Sequence, residues 1–271
     1  MHLLLKLTAH GAWLKADIMI SFASLSSCSD GNSYVIFTDS NKLVIIDAGI
    51  SYRKLKNSLA SLGLDAQNVT HVIITHAHND HIKGLPSIYK QLKPTLIVNS
   101  LLKERFSYFE NLSTYTFNTH SNINGLDFFS IEVPHDHINS SFLISYESKR
   151  IGFISDAGIL YPEHLNHFKN LDFLVIESNH SLKRLELSNY PELLKIRIKS
   201  DLGHLSNLQC GEIIAELYHY NLKCILFIHL SKRSNHPDTL YDEVISKLQS
   251  NFPLIDYKIA PYDSPSDIIE I

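Results

Sequence analysis

The stretch Thr75-His76-Ala77-His78-Asn79-Asp80-His81 decides the reading of this 271-residue chain. It lies where an apolar run, Val72–Thr75, gives way to a helix-like one, Ile82–Gln91. Side chains alternate with period two along an extended chain, so His76 and His78 point the same way. Asp80 and His81 follow at the turn into the helix. Four ligand-type side chains thus converge at one sheet edge. The plain alternatives are an N-cap role for Asp80 and a surface histidine run.

Two metal ions need more than four ligands, so partners are expected behind other strands on the same edge. Three residues qualify: His135 in Val133-Pro134-His135-Asp136-His137, Asp156 in Ile154-Ser155-Asp156-Ala157-Gly158, and His229 in Ile228-His229-Leu230-Ser231. His137 competes with His135. Asp47, in Ile46-Asp47-Ala48-Gly49, also ends a strand; it reads either as a carboxylate orienting a ligand histidine or as a turn residue. Histidine and aspartate without cysteine suit Zn²⁺ or Mn²⁺.

Composition agrees with an enzyme-sized globular chain. Hydrophobic residues make up 44% and charged residues 19%, which excludes collagen, disorder and coiled coil. The net charge of −4 excludes a basic field over the whole surface, although a local basic patch remains open. Sixteen histidines are the outlier. Three cysteines make no disulfide scaffold, so no disulfide-linked partner and a cytoplasmic location are expected. No stretch approaches the ~20 apolar residues of a spanning helix, so no membrane role is expected.

Apolar runs alternate with amphipathic ones. Strands are expected at Ile18–Ala23, Tyr34–Thr38, Leu43–Ile46, Val72–Thr75 and Thr95–Asn99, then at Asp127–Val133, Phe142–Tyr146, Ile151–Ile154, Phe173–Ile176 and Cys224–Ile228. Helices are expected at Tyr52–Leu62, Ile82–Gln91, Leu182–Leu187, Pro191–Lys199, Asn207–Tyr220 and Asp238–Gln249. Two β-rich blocks, each followed by helices, predict two packed sheets with helices outside. With no linker or repeat, residues 19–271 read as one domain and residues 1–18 as an N-terminal extension.

The H-x-H-x-D-H run, with His135, Asp156 and His229 each behind a strand, resembles the metallo-β-lactamase fold superfamily. The resemblance implies an α/β protein, a four-layer αββα sandwich with its metal site at the sheet edge. It implies that His76, His78 and His135 hold one divalent ion. Asp80, His81 and His229 would hold the other, with Asp156 bridging. A narrower similarity, to the YycJ/WalJ-type branch related to ribonuclease Z, covers nearly all of residues 19–250. Its pieces are Ser27–Asn32, Thr75–Gly84, Glu177-Ser178-Asn179-His180, Gly203-His204-Leu205-Ser206-Asn207, His229–Lys232 and Asn235-His236-Pro237. Cys28 stands where the branch usually has Gly, and Ser155 where it usually has Thr.

That branch implies a 5′–3′ exonuclease on nucleic acid, DNA ahead of RNA, using a metal-bridging hydroxide as nucleophile. Two metals ~3.5–4 Å apart suit in-line attack on a phosphodiester. Asp80 and Asp156 would hold that hydroxide. By similarity to the ribonuclease Z loop, His204 is the general acid and Glu177 its supporting carboxylate. Ser206, Asn207 and Lys232 are candidate substrate contacts. Ser206 reads rather as the N-cap of the following helix, and Lys232 with Arg233 equally as a solvated pair. Lys183, Arg184, Lys195, Arg197 and Lys199 read as a backbone track or as a charged helical face. The competing functions are a metal-dependent thioester or lactam hydrolase and a non-catalytic regulatory scaffold.

Overall fold

The structure, a computed structural model, describes residues 5–7, 13–15 and 19–271. Strands β1 (Leu5–Leu7) and β2 (Trp13–Lys15) pair antiparallel. The rest of the expected extension lies outside the described residues.

Two seven-stranded mixed sheets form the middle of the molecule. The first contains β3 (Ile20–Ser26), β4 (Ser33–Thr38), β5 (Leu43–Ile46), β6 (Val69–Ile73), β7 (Thr95–Asn99) and β8 (Leu112–Tyr115). The second runs β9 (His120–Ile123), β10 (Leu126–Glu132), β11 (Ser140–Tyr146), β12 (Lys149–Ile154), β13 (Phe173–Glu177), β14 (Cys224–Ile228) and β15 (Asp256–Ile259). Strand β16 (Ile269–Glu270) returns to close the first sheet beside β3. Each sheet changes from antiparallel to parallel pairing, at β5–β6 and at β12–β13.

Period-two alternation builds the layers. In β5, Val44 and Ile46 enter the core between the sheets, while Leu43 and Ile45 face the outer core with Leu55 and Ile88. In β14, Leu226 and Ile228 face inward, and Ile225 and Phe227 pack with Ile214 and Val244. An aromatic knot of Phe22, Tyr34, Phe153 and Phe173 joins the two inner faces, with Tyr34 and Phe153 edge-on at 5.1 Å. Helices α1 (Tyr52–Ser61), α2 (Asn79–Ile82) and α3 (Leu85–Leu92) follow the first sheet's strands, and α1 and α3 cover its outer face. After β12 come α4 (Pro162–His167), α5 (Leu182–Leu187), α6 (Glu192–Lys199), α7 (Asn207–Leu217), α8 (Pro237–Leu240) and α9 (Ser246–Asn251). The αββα expectation is met.

Several boundaries differ from the sequence reading, for local reasons. The helix expected over Ile82–Gln91 is split at Gly84, where a Cβ would meet the Ile50 carbonyl oxygen at 1.7 Å. Helix α7 stops at Leu217 because Tyr218 turns extended, at φ −55° and ψ 130°. Pro162–His167 and the short strands β8, β9, β15 and β16 were not anticipated; brief, partly polar edges carry little periodicity.

Gly49 shows how closely the site loops pass. A Cβ there would lie 1.7 Å from the Asp80 carbonyl oxygen and 2.6 Å from Asn32 N. Gly49→Ala is therefore expected to destabilise the protein by at least about 1–3 kcal/mol through overpacking. Thermal denaturation checks this; an unchanged midpoint would contradict the close approach.

Candidate metal centre

All the strand-end candidates meet at one edge. Asp47 and His229 directly follow β5 and β14, Asp156 comes two residues after β12, and Glu177 is the last residue of β13. His76 comes three residues after β6, and His135 three after β10. Because β10 pairs antiparallel with β11, and β11 with β12, the carboxyl ends of β10 and β12 lie on the same side. Asn32 precedes β4, which runs antiparallel to β5, so it reaches the same edge. Loops beyond the carboxyl ends of parallel strands are the common site position in α/β sheets.

Three of these residues are held in left-handed backbone: Asp47 at φ 62°, Asp156 at 57° and His229 at 56°. Such a conformation costs on the order of 1–3 kcal/mol for a non-glycine residue and persists where the surroundings over-determine it. Cys28 does not share it, so the side chain there is accommodated.

The histidines divide into two groups. In the first, His76 Nδ1 meets Thr75 Oγ1 at 3.0 Å. His135 Nδ1 donates to the Gly203 carbonyl at 3.1 Å, and His78 Nε2 lies 3.2 Å from Asp136 Oδ1. Thr75 Oγ1 donates to Asp47, which leaves it free to accept from His76. These acceptors set the tautomers. The remaining lone pairs, on His76 Nε2, His78 Nδ1 and His135 Nε2, then converge, with contacts of 3.0 and 3.2 Å about His78 Nδ1. Three lone pairs aimed at one point repel unless a cation sits among them.

In the second group, His81 Nδ1 is held by Asp47 Oδ2 at 2.7 Å. His229 Nδ1 is held by Glu177 Oε1 at 2.7 Å. His81 Nε2 faces Asp80 Oδ2 at 3.5 Å and Asp156 Oδ2 at 3.4 Å. His229 Nε2 is buried without a hydrogen-bond partner among the described residues, 3.6 Å from Asp80 Oδ2. Asn32 Nδ2 donates to Asp80 Oδ2 at 3.2 Å and lies 3.1 Å from His81 Nε2. Asp156 sits between the groups: its Oδ2 lies 3.4 Å from His81 Nε2, and it shares a cluster of ligand atoms within 4.8 Å of one another with His76 of the first group and His81 of the second. Ser155 donates to its carboxylate.

Electrostatics follows this division. Burial pushes His76, His78 and His135 down, His78 to about 4, so all three are neutral and able to ligate. Burial alone would lower His81 and His229 too. Asp156, with Asp47 beside His81 and with Asp80 and Glu177 beside His229, raises them well above the usual range instead. Burial likewise opposes ionisation of Asp80 and Asp156, but the histidines around them hold both below the ordinary carboxylate range. A cation entering the second group displaces protons from His81 and His229, so its affinity should rise with pH. The residues therefore fit divalent ions: every histidine has one nitrogen held by the protein and the other turned into a group of ligand atoms within 4.8 Å of one another.

Asp47 is thus placed as the carboxylate behind His81 rather than as a plain turn residue. Asp47→Asn should keep an acceptor for Thr75 but lose the charge on His81. A 10–100-fold loss of metal affinity with an unchanged fold is expected. Calorimetric metal titration checks it, and an unaltered affinity would contradict it.

A cleft of about 430 Å³ opens over Asp80, Asp156, His78 and His229. His204 lines it too, with Nδ1 2.8 Å from Glu177 Oε1, the oxygen that also holds His229. Glu177 is fully buried. Burial would raise its pKa, but the charges and hydrogen bonds of His204 and His229 reverse this and hold it down.

Other expected contacts lie elsewhere. Ser206 is the N-cap of α7, accepting from Gln209 N at 3.3 Å. Asn207 is buried and bonded to Ser178, Asn235 and Glu243. Lys232 is bound by Asp30 and Asp263, both at 2.8 Å, and is not among the residues lining the cleft. In the basic set, Lys199 pairs with Glu186 and Arg197 with Asp136, while Lys195 is buried on the Glu186 carbonyl. His137 is exposed beside His78 rather than in the first histidine group. Sequence reasoning missed Asp136, whose only sequence signal is its place beside His135, and the cleft residues Tyr190, Leu194 and Asn179.

Cys28, Cys210 and Cys224 are free and buried. No helix among the described residues is long and apolar enough to cross a membrane. The family model of the metallo-beta-lactamase superfamily matches residues 27–194, more than half of the chain. The exodeoxyribonuclease WalJ of Streptococcus pneumoniae serotype 2 (strain D39 / NCTC 7466) is 29% identical over 93% of this chain and 97% of its own. The exodeoxyribonuclease YycJ of Bacillus anthracis is 27% identical over 80% of this chain and 84% of its own. The metallo-beta-lactamase fold protein YhfI from Bacillus subtilis superposes with a TM-score of 0.71 at 16% identity, covering 94% of this chain and all of its own. With this fold, this edge of histidines and carboxylates and these relatives, the chain belongs to the metallo-β-lactamase superfamily and is one of its hydrolases.

Proposed function

We propose that the protein is a two-metal phosphodiesterase that removes nucleotides from a DNA end, in the 5′–3′ direction. The observation that carries this reading is His204: it faces the cleft with Nδ1 anchored on buried Glu177, outside the sets of His76, His78 and His135 and of Asp80, His81 and His229. Phosphodiester cleavage needs a proton for a strongly basic leaving oxygen, whereas the thiolate expelled from a thioester needs none. The names of the two curated relatives support DNA as the substrate.

His76, His78 and His135 would hold one divalent ion, Zn²⁺ or Mn²⁺, and Asp80, His81 and His229 a second, with Asp156 serving both. When bound, such ions supply Lewis acidity toward a phosphoryl oxygen and ionise water at neutral pH. Asp47, Glu177, Asp136, Thr75 and the Gly203 carbonyl orient the five histidines. Asp80 and Asp156 present their carboxylates at the cleft floor. Glu177 Oε1 accepts from His204 Nδ1 and so turns Nε2 toward the cleft, where it delivers a proton to the departing alkoxide.

The test is a substrate panel on Zn- and Mn-loaded protein: 5′-phosphorylated DNA and RNA oligonucleotides, a thioester and a cephalosporin. Release of mononucleotides from DNA, with no acyl turnover, is expected. Acyl turnover without oligonucleotide cleavage would overturn the reading in favour of an acyl hydrolase. Metal retention without any turnover would favour a scaffold.

A further inference from the structure

The cleft lining includes groups other than the candidate ligands. Asn79, Asn179, Ser29, Ser231 and Arg197 are polar or charged. Tyr190, Leu194 and Ile198 line it as well. Leu194 and Ile198 are four residues apart on α6, one above the other on a single face. Tyr190 comes just before Pro191, which leads into that helix. Leu194 and Ile198 can neither ligate a metal nor carry a proton, so their place beside Asp80, Asp156 and His204 calls for a different role.

Tyr190 is half-buried, and among the described residues its hydroxyl makes no hydrogen bond. The ring is held by a cation instead: the Arg233 guanidinium carbon lies 5.6 Å from its centroid, within cation–π range. Arg233 comes four residues after His229, so the ring is tied to the loop that carries a candidate ligand. The cleft, at about 430 Å³, is in the size range of a small-molecule site.

We infer that Tyr190, braced by Arg233 and extended by Leu194 and Ile198, forms a nucleobase-stacking subsite for the terminal nucleotide whose phosphate lies over the histidines. The inference rests on the nuclease reading and adds the group by which the end is gripped. Every base offers a π-face, so stacking on an aromatic residue binds without selecting sequence. The same wall gives one-nucleotide steps a physical basis: one base occupies the subsite at a time.

The test compares binding of deoxyadenosine 5′-monophosphate with that of 2-deoxyribose 5-phosphate to the metal-loaded protein, by calorimetry. The two ligands share sugar and phosphate and differ only in the base. Wild-type protein should prefer the nucleotide by roughly 10- to 100-fold, as expected for one stacked base. Tyr190→Phe should keep the preference, and Tyr190→Ala should abolish it while leaving the affinity for deoxyribose phosphate unchanged. If the alanine variant does not fold, Tyr190→Leu reads the same contrast, being apolar without a π-face. Equal affinity of wild-type protein for the two ligands, or a preference that survives Tyr190→Ala or Tyr190→Leu, overturns the subsite. Oligonucleotide hydrolysis by wild-type protein is scored separately. Cleavage without base preference sinks the subsite and leaves the nuclease reading standing. Base preference without cleavage of any oligonucleotide does the reverse.

Discussion

His204→Ala is expected to keep its fold and both ions while hydrolysis of DNA falls 10²–10⁴-fold, or about 2.7–5.4 kcal/mol of barrier. The side chain lies outside the sets of His76, His78 and His135 and of Asp80, His81 and His229, although it clusters with Asp156, Glu177 and His229, and it is 18% exposed. The lost proton matters most where the leaving oxygen is a nucleotide alkoxide. A p-nitrophenolate leaves without help, so the same variant should lose much less on bis(p-nitrophenyl) phosphate. That difference between substrates is the discriminating readout. Equal losses on both, or loss of an ion on elemental analysis, would make His204 a structural residue or a ligand. His204 Nδ1 does lie 3.6 Å from Asp156 Oδ1, which is why stoichiometry must be measured beside rate. Glu177→Gln is not a milder copy of this variant. One oxygen of Glu177 holds both His204 and His229, so that substitution should combine weaker metal binding with the leaving-group effect.

Asp156→Ala should be the most damaging change at the metal centre. Its carboxylate clusters with His76 of the first group as well as with His81 and His229 of the second, so one deletion removes a candidate ligand from both ions. The metal content should fall below two per chain, affinity should drop by more than the ~10–100-fold typical of an orienting partner, and hydrolysis should vanish on both substrates. Stability of the metal-free protein should fall as well. Asp156 is the largest opposing influence that keeps His81 and His229 charged in a buried site. Breaking such a pair from one side typically costs about 3–5 kcal/mol. Elemental analysis and denaturation of the apo protein check the two claims separately. Retention of both ions with full activity would exclude Asp156 as a shared ligand.

Much of the candidate site was legible because its chemistry is local. His76, His78, Asp80 and His81 occupy six consecutive residues, and His135, Asp156 and His229 stand just past apolar runs that could only be strands. Tautomers and orienting partners were not legible in the same way. Asp47 could be proposed from its strand-end position, yet its choice of His81 depends on a contact across 34 residues. Asp136 is adjacent to His135 in sequence, but its carboxylate turns to His78, 58 positions back, and to Arg197 on α6. Lys232 looked available for phosphate because nothing near it in sequence is acidic. Asp30 and Asp263 arrive from the chain's two ends to bind it.

The sequence by itself determined the layers, the edge that carries the chemistry and the residue types gathered there. Side-chain periodicity and strand-end position are properties of a short segment, and they survive whatever the rest of the chain does. Only the tertiary structure decided which nitrogen of each histidine turns inward, that Glu177 serves two histidines at once, that Ser206 and Asn207 belong to the framework of α7, and that Tyr190 stands over the cleft. Each of those depends on groups distant in sequence meeting within about 3–6 Å, the reach of hydrogen bonds and aromatic contacts, and that proximity exists only once the two sheets have packed.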